Sequence, residues 1–353
     1  MERIGHVKAE VLDTLGMEDP WKYRNKAQYP VGEQAGEIVH GFYEKGSHRI
    51  VASEGCLIQP QVSHDAAQVV KAWMVRYGIR TYDETTLKGI VRHVVTRVSN
   101  KTGEAMVILV INARRIPKAK ELADMLKGHI PGFKSLVLNI NTKNTNVIMG
   151  SKNVAVYGEP YIYDDIGGVR FRLSPTSFFQ VNPIQVEVLY NKALEYTGLT
   201  GKETVIDAYC GIGTITLFLA KKVKKVYGIE IVPEAVADAR YNAAMNGIDN
   251  VEFLEGAAEE LMPDLVRQGI RPDVVVVDPP RRGCDEKLLD AIIHMSPKRV
   301  VYVSCNPATL ARDLCYMEES GYKIDKVQPV DMFPHTAHVE CVILMQRSGS
   351  KVE

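Results

Sequence analysis

The sequence lacks several features that mark whole classes of protein. Its six cysteines are scattered over 353 residues with no Cys-x-x-Cys pair, so they do not resemble a disulfide framework. No stretch approaches the roughly 18 consecutive apolar residues of a membrane-spanning helix. We therefore expect a protein of the reducing cytoplasm, without a membrane partner.

Net charge is also absent, because 43 Lys and Arg balance 43 Asp and Glu. The balance is uneven along the chain. Residues 1–170 hold 23 basic and 18 acidic side chains, whereas residues 171–353 hold 20 and 25. A basic front part beside an acidic back part fits a polyanion-docking module joined to a catalytic one. The length and 46% apolar composition favour two domains, predicted at residues 1–170 and 171–353.

The front part of the chain mixes strand and helix patterns in no βαβ order, which predicts an α+β domain. Helical spacing marks residues 4–15, 63–77 and 117–128, and hairpin patterns mark residues 88–111 and 135–150. Trp21–Pro30 interleaves aromatic and basic residues, a composition suited to binding RNA. An ordinary amphipathic strand is the alternative interpretation.

From about residue 184, helix-like segments alternate with short apolar strands. The strand patterns cover residues 203–207, 225–230, 251–254, 273–278, 299–304 and 338–345. This alternation predicts an α/β fold with a doubly wound, mostly parallel sheet. Ligands of such sheets bind at the carboxyl ends of the strands, where Asp207, Glu230, Asp278 and Cys305 fall.

Cys305 stands between a buried strand and the start of a helix. Asn306 is the predicted N-cap and Pro307 the first helical residue. The positive end of a helix dipole favours the thiolate, the nucleophilic form of the cysteine. With Glu340 as a base in the final strand, this arrangement indicates covalent catalysis. A small buried hydrophobe is the alternative role for Cys305.

A strand, a glycine-containing turn and a helix start follow one another from Val205 to Thr216. Gly211 and Gly213 let a ligand approach the backbone, although a purely structural turn would also use them. Thr216 replaces the third glycine of a dinucleotide fingerprint, and Glu230 is placed to accept hydrogen bonds from ribose hydroxyls. This order favours S-adenosylmethionine over NAD.

The segment Asp278–Gly283 reads Asp-Pro-Pro-Arg-Arg-Gly. Two prolines after a buried strand form a stiff turn that holds Asp278 at the sheet edge. Enzymes that methylate exocyclic amines place an aromatic residue after a related motif. Arg281 stands there instead, which argues against that chemistry. Arg281 either contacts an RNA phosphate or pairs with an acid.

These motifs, in this order, resemble the RNA uracil-5-methyltransferase family, which methylates C5 of a uridine in tRNA or 23S rRNA. They are Phe178–Pro183, Asp207–Gly213, Asp278–Arg281, Ser304–Pro307 and His335–Glu340. The resemblance implies a Rossmann-like class I methyltransferase domain preceded by an α+β RNA-recognition domain. It also implies a monomer that uses S-adenosylmethionine and RNA, and no metal.

The resemblance also assigns roles to single residues. Cys305 would be the nucleophile that attacks C6 of uracil, and Glu340 the general base that removes the C5 proton. The residues that would contact the methyl donor are Gln180, Tyr209, Glu230 and Asp278.

Cys56 favours 23S rRNA over tRNA as the expected substrate. The sequence Ile50–Ile58 resembles the setting of the fourth [4Fe–4S] ligand in rRNA-type members of the family. The other three ligands and the N-terminal TRAM module of many relatives are absent from the sequence, and one cysteine cannot hold a cluster. We expect a sequence that begins downstream of these elements, with Cys56 as a remnant ligand; core filling is the alternative.

Three other functions compete with this prediction. A tRNA uracil-5-methyltransferase would share the same motifs. An RNA cytosine-5-methyltransferase would show Pro-Cys in the turn that Asp278–Arg281 occupies. A non-catalytic RNA-binding protein on this scaffold would need neither Cys305 nor Glu340. His335 and His338 beside Glu340 imitate a metal site, but a buried base in a closing strand explains the acid without one.

Overall fold

The structure is a computed structural model that describes residues 1–349. The chain forms two compact units. The major unit comprises Met1–Asp19, Ile166–Phe171 and Ser177–Glu353, and the inserted unit comprises Pro20–Asp165 and Arg172–Thr176.

The strands and helices follow each other along the chain in both units. The strands are β1 (Glu10–Val11), β2 (Lys26–Gln34), β3 (Glu37–Tyr43), β4 (Ile50–Ala52), β5 (Val91–Val98), β6 (Ala105–Ile111), β7 (Phe133–Ile140), β8 (Lys152–Tyr157), β9 (Ile162–Ile166), β10 (Val169–Leu173), β11 (Thr204–Ala208), β12 (Lys225–Glu230), β13 (Val251–Glu255), β14 (Val274–Val277), β15 (Arg299–Ser304), β16 (Tyr322–Val330) and β17 (Glu340–Arg347). The helices are α1 (Glu2–Gly5), α2 (Gln61–Tyr77), α3 (Ala119–His129), α4 (Gln185–Thr197), α5 (Thr214–Ala220), α6 (Pro233–Met245), α7 (Ala258–Arg267), α8 (Glu286–Met295) and α9 (Pro307–Glu319).

The major unit is built on an eight-stranded sheet in the order β1-β16-β17-β15-β14-β11-β12-β13. The pairs from β15 to β13 are all parallel, whereas β17 is antiparallel to both β15 and β16. The chain runs outward from β11 to β13 and then returns to β14 on the other side of β11. This reversal creates the crevice in which α/β sheets bind ligands, and the predicted doubly wound α/β fold is confirmed.

The central strands are apolar because they are buried. All four valines of β14 are at most 1% exposed, which explains a continuous apolar run without alternation. Burial of this kind anchors the sheet, so that the residues just beyond the strand ends take fixed positions.

The amino-terminal segment differs from the prediction. The helix α1, Glu2–Gly5, overlaps the helix predicted over residues 4–15 only at residues 4–5. Further along, β1 pairs in parallel with β16, with Glu10 opposite Lys326. Residues 1–19 therefore belong to the major unit, and the predicted division at residue 170 does not describe them. The sequence of β16 gave no strand prediction, so its partner was not evident either.

The inserted unit contains a seven-stranded mixed sheet in the order β4-β3-β2-β5-β6-β7-β8. The predicted hairpin over residues 88–111 is confirmed as β5 and β6. The hairpin predicted over residues 135–150 is observed as the antiparallel pair β7 and β8, but its second strand begins at Lys152, beyond the predicted bound. The first strand, β7, also pairs in parallel with β6 across α3, which was not predicted. This βαβ step makes the sheet mixed.

The core of the inserted unit lies between this sheet and the helices α2 and α3. Trp73 of α2 is fully buried, and its indole N–H donates to the carbonyl oxygen of Lys118 at 3.0 Å. Among residues 1–349, no helix has the length and apolar character needed to cross a membrane.

Candidate functional site

Five of the predicted site residues lie at strand ends along one side of the eight-stranded sheet, the side at which its parallel strands end. In β15 and β17 the antiparallel register sets Ser304 opposite Cys341, so Cys305 and Glu340 face each other one step further on. Asp278 follows β14 and Tyr209 follows β11, whose last residues are paired. Glu230 ends the next strand, β12. The order of the strands thus sets a thiol, two carboxyl groups, a phenol and a third carboxyl group along a single edge.

Cys305 lies in the predicted strand-to-helix junction. The side chain of Asn306 caps α9 by accepting a hydrogen bond from the backbone N–H of Ala308 at 3.1 Å, and Pro307 is the first helical residue. The surroundings of the thiol oppose the predicted thiolate, however. Burial raises the pKa of the Cys305 thiol, and the nearby Glu340 and Asp278 raise it further, against an opposing effect of Arg281. Burial and the two acids therefore act against the helix dipole.

Glu340 and Asp278 form a pair of acids in poor contact with solvent. Glu340 is 3% exposed, and within residues 1–349 its Oε2 has no hydrogen-bond partner. Burial raises the pKa of Glu340, the charge of Asp278 raises it further, and Arg281 lowers it. Burial also raises the pKa of Asp278. Two such neighbours do not both ionise readily, so the pair retains a proton near neutral pH.

The backbone of Arg281 is fixed by the start of α9. Its carbonyl oxygen accepts hydrogen bonds from Nδ2 of Asn306 at 3.0 Å and from Oγ1 of Thr309 at 3.2 Å. Asn306 therefore caps the helix with one side-chain atom and holds the Asp-Pro-Pro-Arg turn with another. The residue that follows Cys305 therefore also holds the backbone of Arg281.

Asp313 of α9 holds the rest of this turn. Its Oδ2 accepts from the backbone N–H of Cys284 at 2.8 Å and from the hydroxyl of Tyr302 at 2.6 Å. A Cβ atom at Gly283, whose φ is +82°, would lie 2.6 Å from the same carboxylate and from the Arg312 guanidinium. Only glycine allows this close approach. No local sequence pattern predicts this set of contacts.

The glycine turn after β11 is tied to Glu230. The Glu230 carboxylate accepts from the backbone N–H of Gly211 at 3.0 Å and from that of Val232 at 2.9 Å. Each oxygen retains a second lone pair, so the carboxylate can still accept hydrogen bonds from ligand hydroxyls. Gly213 has φ +84°, and a Cβ there would meet the ring of Phe253 at 3.0 Å. A Cβ at Gly211 would meet only open space.

Two residues beside this turn are in energetically unfavourable states. Asp207 is fully buried and accepts a hydrogen bond from the Thr216 hydroxyl at 2.5 Å, but within residues 1–349 its Oδ1 has no partner. Burial raises the pKa of Asp207 to about 7. Tyr209 adopts φ +68°, a conformation that costs about 1 kcal/mol or more for a residue with a side chain. Such features concentrate at ligand sites.

Gln180 lies away from the strand ends, in the segment between β10 and α4. It is 6% exposed, whereas Phe178 in the same segment is 70% exposed. The adjoining Asn182 is fully buried; its amide donates to the carbonyl oxygen of Met332 at 3.1 Å, and its Oδ1 accepts from the backbone N–H of Gln185 at 3.0 Å. This anchor fixes the segment that carries Gln180.

Cys56 lies between β4 and α2 as a half-buried free thiol. The sequence supplies no other cysteine to the inserted unit. Within residues 1–349, no three His, Cys, Asp or Glu side chains are grouped as they would be around a metal ion. The residues present do not fit an iron–sulfur cluster.

The sheet is doubly wound, with a glycine turn after β11 and, on the next strand, an acid that can still accept hydrogen bonds from ribose hydroxyls. A thiol also lies opposite a buried acid. Together these features define a class I methyltransferase that acts on a nucleobase. A family profile described as tRNA (Uracil-5-)-methyltransferase matches residues 15–348. The chain belongs to this family, and it is an S-adenosylmethionine-dependent RNA methyltransferase of the uracil-5 type.

Relatives in two bacteria and one solved structure support the assignment. An uncharacterized RNA methyltransferase of Bacillus cereus is 54% identical over 348 residues, which cover 98% of this chain and 76% of the relative. One from Caldanaerobacter subterraneus is 54% identical over 347 residues, covering 98% and 77%. The Pyrococcus abyssi tRNA (uracil-54, C5)-methyltransferase, solved with S-adenosyl-L-homocysteine, has a TM-score of 0.80 at 29% identity, covering 98% of this chain and 80% of its own.

The site contains residues whose importance the sequence did not reveal. The sequence marks Asp207 only as an acid before the turn, whereas the structure shows that it is buried with one oxygen lacking a partner within residues 1–349. Arg312 and Asp313 had a weak signal: a charged pair between apolar residues in the first half of the helix that follows the strand-tip cysteine. A charge on the buried face of a helix requires a partner, which here is the turn after Asp278.

Proposed function

We propose that the protein methylates C5 of a uridine in RNA, with Cys305 as nucleophile and Glu340 as general base. The observation that carries the proposal is the β15–β17 register, which sets the thiol opposite a buried carboxyl group of raised pKa. Covalent pyrimidine methylation needs these two groups on either side of one ring. The proposal continues the roles that the family resemblance implies.

The reaction begins when Cys305 loses its proton and its Sγ bonds to C6 of uracil. Electron density moves to C5, which then becomes nucleophilic and takes the methyl group. S-Adenosylmethionine, when bound, supplies that methyl group in electrophilic form on a sulfonium. Glu340 next accepts the C5 proton, the C5–C6 double bond re-forms, and the C6–S bond breaks to release Cys305.

The electrostatics of the site suit this order of steps. A carboxylate of raised pKa is a stronger base than an exposed one, and proton transfer is most efficient when its pKa lies near the working pH. Arg281 lowers the pKa values of both Cys305 and Glu340, so it favours the ionised forms that the reaction uses. The hydrogen bonds from Asn306 and Thr309 keep Arg281 in place.

The residues that would hold S-adenosylmethionine fit its chemistry. Glu230 retains lone pairs for the two ribose hydroxyls, and the open space at Gly211 allows a ligand to approach the backbone. Asp278 and Tyr209 flank this crevice, and Gln180 would complete the contacts. The orphaned Oδ1 of Asp207 fits a cationic or hydrogen-bonding ligand above it.

For the substrate, we propose uridine in 23S rRNA, with the inserted unit as the RNA-recognition domain. The setting of Cys56 supports rRNA, because it resembles rRNA-type members of the family. The likeness to the Pyrococcus abyssi tRNA (uracil-54, C5)-methyltransferase favours tRNA as the second candidate. Both RNAs present the same base to the same two residues.

The test is an assay with labelled S-adenosylmethionine and unmodified transcripts of 23S rRNA and tRNA, followed by identification of the labelled nucleoside. We expect 5-methyluridine, and we expect Cys305→Ala to lose activity by at least about 10³-fold while it keeps its affinity for S-adenosylmethionine. The matched control is Cys315→Ala, a free cysteine of α9 that should remain active. Labelled 5-methylcytidine, or full turnover by Cys305→Ala, would contradict the proposal.

A further inference from the structure

A cavity of about 840 Å³ lies in the inserted unit, and all the residues that line it belong to that unit. It is bounded by the β2–β3 hairpin, the segment before β4, the loop over residues 80–89 and the start of β5. A smaller cavity of about 240 Å³ shares part of its wall and reaches the loop over residues 145–148. The larger volume is in the range of small-ligand sites, about 300–1,000 Å³. Neither cavity is used by the reaction proposed above.

The shared wall presents aromatic rings. The ring of Tyr43 stacks on that of His48, with centroids 5.3 Å apart and planes 27° apart, and lies edge-on to His93 at 6.2 Å. Tyr43 is 37% exposed, so part of its ring is open to a ligand. Arg92 lies over the ring of Tyr82 at 4.4 Å. The cavity therefore offers both a ring for stacking and a guanidinium held over another ring.

Two buried polar atoms of this wall have no partner. Arg92 and His93 are each only 5% exposed, and within residues 1–349 neither Nε of Arg92 nor Nδ1 of His93 has a hydrogen bond. Arg92 is otherwise fixed, because its Nη1 donates to the carbonyl oxygens of Asn141 at 3.0 Å and Lys143 at 2.8 Å. Buried groups of this kind are normally satisfied, so both atoms indicate a ligand with hydrogen-bonding edges.

The acids at the cavity are already occupied within the protein. Asp83 accepts hydrogen bonds from the backbone N–H groups of Thr85 at 2.7 Å and Thr86 at 3.0 Å. Glu84 is paired with His48. These carboxylates therefore contribute less repulsion to an anionic ligand than their number suggests.

The cations remain available. Within residues 1–349, Arg80 and Lys88 line the cavity without any ion pair; Glu33 and Asp83 are the lining acids without one, and Asp83 already accepts the two backbone hydrogen bonds described above. Exposed cations beside an exposed aromatic ring and buried hydrogen-bonding groups match the parts of an unpaired nucleotide: phosphate, base face and base edge.

We propose that this cavity, the Tyr43 pocket, binds one unpaired nucleotide of the substrate RNA, distinct from the uridine that reacts. The base stacks on Tyr43, its edge meets Arg92 and His93, and its phosphate lies near Arg80 and Lys88. The inference rests on the proposed function for the nature of the substrate. It adds a second point of recognition, which would help to select one uridine among many.

The first test measures RNA binding, which does not depend on methylation. Filter binding at fixed salt uses unmodified 23S rRNA and tRNA transcripts with wild type, Tyr43→Ala and Tyr43→Phe. We expect Tyr43→Ala to weaken binding of the favoured transcript about tenfold, and Tyr43→Phe to restore most of it because the ring remains. In steady-state assays the loss should fall on KM for RNA and not on kcat. Thermal melts check that each variant is folded.

The matched control is Tyr157→Ala, which removes a tyrosine of β8 that stacks on Phe133 with centroids 5.4 Å apart. It should leave RNA affinity unchanged. A second measurement is photo-crosslinking of 4-thiouridine-substituted transcripts, where we expect crosslinked peptides from the Tyr43 pocket.

Equal RNA affinity for wild type and Tyr43→Ala would overturn the inference and leave the cavity to a protein partner. A wild type that makes no 5-methyluridine, yet loses RNA affinity on Tyr43→Ala, would instead refute the proposed reaction and retain the pocket.

Discussion

The two units carry opposite net charge. The inserted unit holds 21 Lys and Arg against 13 Asp and Glu, whereas the rest of the chain holds 22 against 30. The charge separation is larger than a division at residue 170 suggests, because the acidic first 19 residues belong to the major unit. Acidic and basic residues are therefore separated more sharply between the two structural units than between the first and second parts of the sequence.

The same contrast extends to the interior. In the major unit, burial raises the pKa values of Asp207, Asp278 and Glu340. In the inserted unit, burial lowers the pKa of His40 and of His93 to about 4. A protein interior disfavours charge of either sign. Each unit therefore loses some folding stability by burying the ionisable groups that its ligand requires.

One buried acid of the inserted unit shows how a structural carboxylate differs. Asp164 is fully buried, but it accepts hydrogen bonds from the hydroxyl of Ser99 at 2.8 Å and from backbone N–H groups, including those of Asn100 and Lys101, each at 3.2 Å. Glu340 and Asp207 each retain an oxygen without a partner within residues 1–349. The buried acids that lack a partner at one oxygen thus lie in the major unit, which indicates that acid chemistry belongs there.

The sharpest test of that assignment is Glu340→Gln. Without a base for the C5 proton, the reaction should stop after methyl transfer, with Cys305 still bonded to C6. We expect turnover to fall about 10²- to 10⁴-fold and a covalent protein–RNA adduct to accumulate, which a denaturing gel and mass spectrometry would detect.

The control is the double variant with Cys305→Ala, which has no thiol to bond and should form no adduct. Normal release of methylated RNA by Glu340→Gln would remove Glu340 from the base role. It would also remove the reason for burying an unsatisfied acid in the major unit.

Opposite buried charges predict opposite responses to acid. His40 and His93 bind protons more readily in the unfolded chain, so the inserted unit should lose stability as the pH falls from about 6.5 towards 4. The loss at pH 5 is roughly 1–2 kcal/mol for each imidazole. Glu340 and Asp278 bind protons more readily when folded, so the same acidification should stabilise the major unit.

Hydrogen exchange at pH 8 and pH 5, corrected for the intrinsic exchange rate, would resolve the two responses. We expect protection to fall in α2 and β5 of the inserted unit but not in β14 and β15 of the major unit. Replacement of His93 by Gln should reduce the acid response of the inserted unit by about half. Equal loss of protection in both units would break the comparison.

The sequence predicted best what depends on local pattern. The strand over residues 225–230 is observed as Lys225–Glu230, and the cap at Asn306 is present, because periodicity and capping are decided within a few residues. The edge that collects Cys305 and Asp278 also follows from strand order alone, since parallel strands end at one side of a sheet.

The errors concern groups that meet only in three dimensions. The helix dipole at Cys305 can be read from sequence, but the acids that act against it follow β14 and begin β17. The pairing of residues 10–11 with β16 joins chain segments more than 300 residues apart, which no local pattern records. The hydrogen bond between Asp313 and Cys284 spans 29 residues, which is also beyond the reach of a local pattern.

The smallest expected effect is that of replacing Arg281. This variant tests how the acidic site of the major unit accommodates an ionised thiol and an ionised base. Arg281 is the cation that lowers the pKa values of both Cys305 and Glu340, so Arg281→Gln should raise both. Activity requires the two deprotonated forms, and the pH–rate profile should therefore move to higher pH. A shift of one pH unit would reduce the rate about tenfold at neutral pH while the rate at high pH recovers.

The control is Arg282→Gln. It changes the neighbouring side chain but keeps the hydrogen bonds that Asn306 and Thr309 donate to the carbonyl oxygen of Arg281. Loss of rate at every pH, without a shift of the profile, would mean that Arg281 binds RNA and does not tune the acids.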